Sequence, residues 1–244
     1  MTALVLHDLG GTSRQLIPMM PVLPDVWAPD LPAHGANPVP DDLDELSLYR
    51  LAQTVAEGMP ERASEHPLTI IGVGLGAAVG LRIVLSRLHK IDRFVAIRPS
   101  FGSVSLPENL TVYPVIAELL GSHPRDAVQR FETSGVFNDI RRSSRAAANE
   151  ALQLIQEPNA AERRARFSEI PMYAGYREDE FKDLDVASMV IADPTDPVHP
   201  LWLAQQWQHL LGAAIRVTPD RGRNPHAVDA WIQNELATYL VGVR

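Results

Sequence analysis

The sequence has no cysteine, few aromatic residues and no excess of basic residues. Without cysteine, disulfides and thiolate metal sites are excluded. The formal net charge of −8 argues against nucleic-acid or membrane-surface partners, since both favour a basic face. No apolar run reaches the roughly 18 residues of a membrane span. The opening residues, MTALVLHDLGG, lack the basic segment of a signal peptide. We therefore expect a cytoplasmic protein without nucleic-acid or membrane partners.

The length of 244 residues, 45% of them apolar, is typical of a single α/β domain over residues 1–244. Short apolar runs bounded by turn residues predict six strands, at 3–7, 25–29, 68–73, 93–99, 188–192 and 214–219. Segments with helical spacing lie between most of them. This alternation predicts an α/β fold with about six mainly parallel strands and helices on both faces of the sheet.

Residues 106–182 interrupt this alternation with four helical segments and no strong strand. One interpretation is a helical cap inserted between two α/β halves, and the other is a set of ordinary helices packed on the sheet. A cap predicts that these helices cover an apolar cavity. The apolar side chains expected to line it are Phe101, Ile116, Leu120, Phe131 and Phe137.

A glycine-rich turn follows the third predicted strand, within residues 70–80, IIGVGLGAAVG. Gly72, Gly74 and Gly76 can be read as the dinucleotide-binding pattern G-x-G-x-x-A. Two observations count against that interpretation. Two strands and a helix precede the turn, and the next strand ends in Arg98 rather than in an acidic residue. A tight turn without chemistry is a further alternative.

The segment LVLHDLGG, followed by VWAPDLPAHG, resembles the opening of the α/β-hydrolase superfamily. The glycine turn is similar to the nucleophile elbow G-x-S-x-G of that superfamily, with Gly74 in place of the catalytic serine. The resemblance implies an α/β-hydrolase fold and an oxyanion hole formed by the backbone N–H groups of Leu9 and Leu75. Asp8 stands where glycine is usual. Because an inward carboxylate would oppose developing negative charge, we expect Asp8 to face solvent or to cap the next turn.

The resemblance also implies a catalytic acid and base. The segment VIADPTDPVHP matches the acid motif at Asp196, with Asp193 as the near alternative, although such Asp/Pro turns are common in loops. The histidine after the last strand is His226, which we expect to contact the acid and to face Gly74. His199 is expected at the surface.

Since glycine has no atom that can attack a carbonyl, acyl-enzyme chemistry at Gly74 is excluded. Three functions remain: a serine-free enzyme with His226 and Asp196 as base, an ester or lactone hydrolase whose nucleophile is replaced, and a non-catalytic small-molecule binding protein. We expect a small, fairly apolar substrate, no cofactor and no metal, and the sequence defines no oligomeric state. Because the flanking glycines fit the elbow, Gly74→Ser is predicted to be tolerated. His7 and His34 are expected to brace loops.

Overall fold

The computed structural model describes residues 2–61, 67–222 and 224–241, with only the backbone of 225, 226 and 241. In this part of the chain six parallel strands form one sheet in the order β2-β1-β3-β4-β5-β6. The strands are β1 (Thr2–Leu6), β2 (Asp25–Trp27), β3 (Leu68–Val73), β4 (Ile91–Ile97), β5 (Ala187–Ala192) and β6 (Ala214–Val217). The six predicted strands are confirmed, with small differences at their ends.

Helices cover both faces of the sheet, as its buried strands require. The α-helices are α1 (Leu48–Glu57), α2 (Leu75–Ser86), α3 (Val112–Ser122), α4 (Ala127–Glu132), α5 (Gly135–Ser143), α6 (Arg145–Gln156), α7 (Ala165–Glu169), α8 (Leu201–Leu211) and α9 (Pro225–Val241). Within the described ranges, no helix is long and apolar enough to cross a membrane.

Alternate side chains of each central strand enter two separate apolar clusters, because successive residues of a strand point to opposite faces. Leu4 and Leu6 pack with α1, α2, α8 and the inserted helices. Ala3 and Val5 pack with α9 and with the 3-10 helix Ser13–Met19. The sheet is therefore the middle layer of three.

Helices α3 to α7 form the insertion between β4 and β5. The five apolar side chains expected to line a cavity beneath it are buried in the core cluster instead. The rings of Phe131 and Phe137, for example, pack on each other with centroids 5.3 Å apart. The prediction for these side chains is wrong, because they hold the inserted helices to one another and to the sheet.

The strand order brings the loop after β1 next to the turn after β3. Leu6 and Gly72 are paired across the two strands, so the residues that follow them emerge side by side. In a parallel sheet, all strands end at the same edge, where ligands bind in open α/β folds. The ends of β4 and β5 complete this edge.

Candidate active site

The turn between β3 and α2 has the strained backbone conformation expected of a nucleophile elbow. Gly74 has φ 49° and ψ −109°, in the region of positive φ that favours glycine. A Cβ on Gly72 would lie 2.3 Å from the carbonyl oxygen of Gly76, and a Cβ on Gly76 would lie 2.2 Å from that of Leu6. Close backbone packing therefore requires glycine at the two flanking positions.

The carboxylate of Asp8 fills the space above Gly74. A Cβ on Gly74 would lie 1.8 Å from Asp8 Oδ1. That oxygen accepts hydrogen bonds from the backbone N–H of Leu9 at 2.7 Å and of Leu75 at 2.9 Å. The two N–H groups implied by the resemblance thus converge, but on a side chain of the protein itself.

Two expectations about this turn are wrong. Asp8 does not face solvent or cap the next turn, because two backbone donors and neighbouring cations offset the cost of burying its charge. A serine at position 74 would not simply be accommodated, because Asp8 occupies the room that it needs. The buried negative charge would also repel the pyrophosphate of a dinucleotide.

His199 lies between two carboxylates. Its Nε2 is 3.0 Å from Asp8 Oδ2, and its Nδ1 is 2.9 Å from Asp196 Oδ2. The contact with Asp8 lies off the line of a hydrogen bond and is best described as an ion pair. The side chain is only 4% exposed, so the expectation of a surface histidine is wrong.

A tight turn explains the inward direction of His199. Asp196 Oδ1 accepts hydrogen bonds from the backbone N–H groups of Val198 and His199, at 2.9 and 3.3 Å. These bonds fold the chain back over the carboxylate, so the ring of His199 meets Asp196 Oδ2. The three-residue spacing of Asp196 and His199 was the sequence signal for this contact.

The other candidates for the acid and base occupy different places. Asp193 Oδ1 accepts hydrogen bonds from the N–H and the hydroxyl of Thr195, both at 2.9 Å, and stabilises the turn after β5. Of the two aspartates, Asp196 is the one that contacts His199. His226 lies at the beginning of α9 and its side chain is outside the described residues, so its assignment stays a prediction.

The pKa values of the three groups are shifted together. Burial alone would lower the pKa of His199, but the charges of Asp196 and Asp8 raise it to about 9. Burial would raise the pKa of Asp196, but the charge and hydrogen bond of His199 lower it to about 2. Asp8 behaves similarly: against the effect of burial, His199, Arg98 and the Leu75 N–H hold its pKa well below the usual range. At neutral pH the site therefore holds an imidazolium between two carboxylates.

Two arginines and a glutamate surround this group. Arg98, at the end of β4, is 3.3 Å from Asp196 Oδ2 and 3.2 Å from Glu150 Oε2. Arg221 forms ion pairs with the same glutamate and, at 3.4 Å, with Asp196. Burial and the nearby charge of Arg98 lower the pKa of Arg221 to about 9. Because Glu150 belongs to α6, these ion pairs connect the insertion to the strand ends.

Two buried histidines hold the loop that carries Asp8. His7 Nε2 accepts a hydrogen bond from the Leu31 N–H at 2.9 Å, and His34 Nε2 accepts one from the Gly10 N–H at 3.0 Å. Burial lowers the pKa of His7 and lowers that of His34 well below its usual value. Both rings therefore stay neutral and brace the loop, as expected from the sequence.

A cavity of about 520 Å³ opens onto Asp8, between the strand ends and the inserted helices. Val112 and Tyr113 of α3 and Leu154 of α6 form part of its wall, together with the charged groups described above. Burial, and then the charges of Asp8 and Asp196, raise the pKa of Tyr113 well above its usual value. Among the described residues, no group of histidine and acidic side chains is arranged to hold a metal ion. The wall is thus partly apolar and partly ionic.

Comparisons with known proteins agree with this fold. The sequence model of the α/β hydrolase family matches residues 3–233, so the chain belongs to that family. No curated protein sequence matches the chain.

Solved structures with the same fold include several enzymes. MenH from S. aureus is 16% identical, with a TM-score of 0.68 over 98% of this chain and 93% of that one. The enol-lactonase from Burkholderia xenovorans LB400 is 14% identical, with a TM-score of 0.71 over 98% and 91%. A thermophilic esterase from Thermogutta terrifontis is 14% identical, with a TM-score of 0.70 over 98% and 90%. At these identities the likeness shows the fold alone.

Proposed function

We propose that this protein is an enzyme that transforms a small organic molecule without a serine nucleophile, and that Asp8, His199 and Asp196 are its catalytic group. One observation carries the proposal. The carboxylate of Asp8 stands where a side chain of residue 74 would be, and it contacts both the Leu9 and Leu75 N–H groups and His199. Membership of the α/β hydrolase family supports hydrolysis as the reaction class.

In this proposal Asp196 orients His199, and His199 handles protons. The hydrogen bond from Nδ1 to Asp196 fixes the ring, and the opposite nitrogen faces Asp8. While both carboxylates are charged, the imidazole holds its proton and can act as an acid. It becomes a base when the charge on Asp8 is removed, since one of the two charges that raise its pKa is then lost.

The position of Asp8 argues against an ester hydrolase that has only lost its serine. In such a protein the oxyanion hole would stay open for the carbonyl oxygen of a substrate. Here the hole holds a carboxylate, and an acyl substrate would have to displace it from two hydrogen bonds. The serine-free enzyme is therefore better supported.

A non-catalytic binding protein is the second candidate, and the occupied hole is the observation that favours it. A receptor needs the cavity but has no use for an oxyanion hole, so an internal carboxylate could fill the hole permanently. A receptor would, however, not need a buried imidazolium directed at that carboxylate. Burying three charges is costly unless they are paired, and apolar side chains would fill the same space more simply.

The proposed function is tested with a panel of small esters, lactones, epoxides and alkyl halides. We expect turnover of at least one class by the wild type and a loss of at least about 100-fold in His199→Gln, the usual range for removal of a general acid or base. His209→Gln, which changes an exposed histidine of α8, is the matched control and should keep full activity. A fluorophosphonate should label none of these proteins. Equal turnover in wild type and His199→Gln would refute the catalytic group, whereas no turnover of any class by the wild type would favour the binding protein.

A further inference from the structure

We infer that Asp8 is a covalent nucleophile, and that its substrates are neutral molecules in which a saturated carbon carries an anionic leaving group, such as an alkyl halide. This inference rests on the proposed function and assigns the bond-forming atom within the same group. The nucleophile belongs to the loop after β1, and the turn that would ordinarily present a serine contributes only space and one N–H.

The two oxygens of the Asp8 carboxylate have different surroundings. Oδ1 accepts both backbone hydrogen bonds, from Leu9 and from Leu75. Among the described residues, Oδ2 has the off-line contact with His199 and no hydrogen bond from the backbone, and the side chain is 19% exposed and lines the cavity. Oδ2 is therefore the oxygen that a substrate in the cavity can reach.

The environment of Asp8 favours attack on saturated carbon over attack on a carbonyl. A carboxylate that stays ionised is a weak base and takes no proton from a substrate. Attack on an ester carbonyl would need a free oxyanion hole, which Oδ1 itself occupies. Displacement at a saturated carbon needs neither a base that takes a proton from the substrate nor a free oxyanion hole. Oδ2 forms a bond to the carbon, the bond from carbon to halogen breaks, and the halide leaves with the electron pair.

The same contacts suit hydrolysis of the resulting ester. Its carbonyl oxygen is Oδ1, which already lies between the N–H groups of Leu9 and Leu75. When water adds to the carboxyl carbon, the negative charge develops on that oxygen, where the two donors stabilise it. The oxyanion hole then serves the side chain of the protein rather than an acyl substrate.

His199 supplies the base for this second step. Alkylation neutralises Asp8, so the imidazolium keeps only Asp196 as a close anion and its pKa falls. It releases a proton to solvent, and its Nε2 then takes one proton from the attacking water. The tetrahedral intermediate expels the alkoxide, which takes that proton and leaves as an alcohol. Asp8 is regenerated with one oxygen derived from water, and the second proton of that water passes from its carboxyl group to His199, which becomes an imidazolium again.

The cavity limits the size and charge of the substrate. Its volume of about 520 Å³ suits a small molecule. The apolar part of its wall, which includes Val112 and Leu154, suits an alkyl chain. Arg98 and Arg221 line the same cavity and can receive the departing anion. An anionic substrate would be repelled by Asp8, so a neutral one is expected.

The inference is tested with 1-bromobutane and the related chloroalkanes as probes. Wild type should release bromide and butanol. His199→Gln should stop after the first step, and mass spectrometry should find one butyl group on the peptide that contains Asp8. Asp8→Asn should carry no adduct and release no halide above background. Asp139→Asn, which removes an exposed carboxylate of α5, is the matched control and should behave as wild type.

A single turnover of wild type in ¹⁸O-water gives a second measurement. One ¹⁸O atom should appear in Asp8, and the butanol should be unlabelled after one turnover. Label in the alcohol, or no adduct and no halide release with any of the probes, would overturn the covalent role of Asp8. Turnover elsewhere in the substrate panel that still requires His199 would, in that case, leave the proposed function standing. Turnover that does not depend on His199 would refute both the covalent role of Asp8 and the proposed function.

Discussion

The loop at 7–11 and the turn at 72–76 lie side by side at the end of the sheet, and they differ in what they contribute. The turn keeps the strained backbone and the close packing of an elbow but offers no side chain. The loop departs from the usual glycine and supplies a carboxylate that reaches the same point. The difference teaches that close packing fixes the backbone of the turn, whereas the side chain at its apex can come from the neighbouring loop.

The strongest test of this comparison restores a side chain to the turn. Gly74→Ala places a Cβ against Asp8 and strains a positive φ, so we expect a loss of about 2–5 kcal/mol in the free energy of unfolding. The double variant Asp8→Gly/Gly74→Ala should recover much of this loss, because the obstructing carboxylate is gone. Urea denaturation of the wild type, both single variants and the double variant measures the coupling.

Gly212→Ala is the matched control for that experiment. Gly212 also has a positive φ, of 59°, but a Cβ there meets nothing within 4 Å. Gly212 lies in the left-handed helical region, at ψ 28°, whereas Gly74 has ψ −109°. Gly212→Ala therefore reports the cost of a positive φ without a clash, Gly74→Ala should cost distinctly more, and recovery in the double variant assigns the part due to Asp8. Equal losses at the two positions, with no recovery in the double variant, would mean that Asp8 does not occupy the space above Gly74.

The second test uses pH to probe the contact between the loop and His199. The folded-state pKa of His199 is raised to about 9, so its stabilising contribution is complete below pH 6.5 and is lost as the pH rises to about 9. The expected loss over this window is about 3 kcal/mol, measured by urea denaturation at a series of pH values. His199→Gln should lack this alkaline loss, and His209→Gln should keep it. If His199→Gln still loses stability between pH 6.5 and 9, that loss belongs to another titrating group.

The third test loosens the loop without touching the turn. His34→Ala removes the acceptor of the buried Gly10 N–H, and an unsatisfied buried donor costs about 1–3 kcal/mol. Because the loop also positions Asp8, the pKa of His199 should fall in the variant, as followed by NMR titration of the ring. His123→Ala, at the exposed end of α3, is the control. A destabilised His34→Ala with an unchanged His199 titration would show that Asp8 is positioned independently of this brace.

The smallest effect is expected at the far end of the loop. Gln15 Oε1 accepts a hydrogen bond from the Thr12 N–H at 3.0 Å, near the start of the 3-10 helix Ser13–Met19. Gln15→Ala should cost about 0.5–1 kcal/mol, as the loss of an exposed cap does. The coupling between positions 8 and 74 should stay unchanged. A change in that coupling would mean that residues beyond the loop at 7–11 also help to position Asp8.

The fold could be predicted well from the sequence because its central strands are buried on both faces. A parallel strand such as β3 is a continuous apolar run, and the glycines at its end mark a turn with positive φ. The bracing roles of His7 and His34 followed from their motifs. In each case local sequence determines local structure.

The site was harder to predict because it depends on the direction of side chains in loops. Asp8 turns inward through a hydrogen bond from Leu75, 67 residues away, which no local pattern contains. His199 turns inward because Asp196 folds the loop between them. A signal did exist: the resemblance was broken at two positions, 8 and 74, in motifs that converge on one oxyanion hole. Two such departures are best interpreted together, since one fills the space that the other leaves.

The contact between position 74 and the Asp8 carboxylate also constrains the order in which such a pair can arise. Glycine and aspartate codons can differ by a single nucleotide, and so can glycine and serine codons, so each exchange needs only one base change. With a side chain at position 74, the carboxylate of an aspartate at position 8 cannot lie beside Leu75 as it does here and has to turn away. From a sequence with serine at position 74, the inward carboxylate can therefore be placed only after the serine is lost. In that order, the intermediate has an oxyanion hole that no side chain of residue 8 or 74 fills.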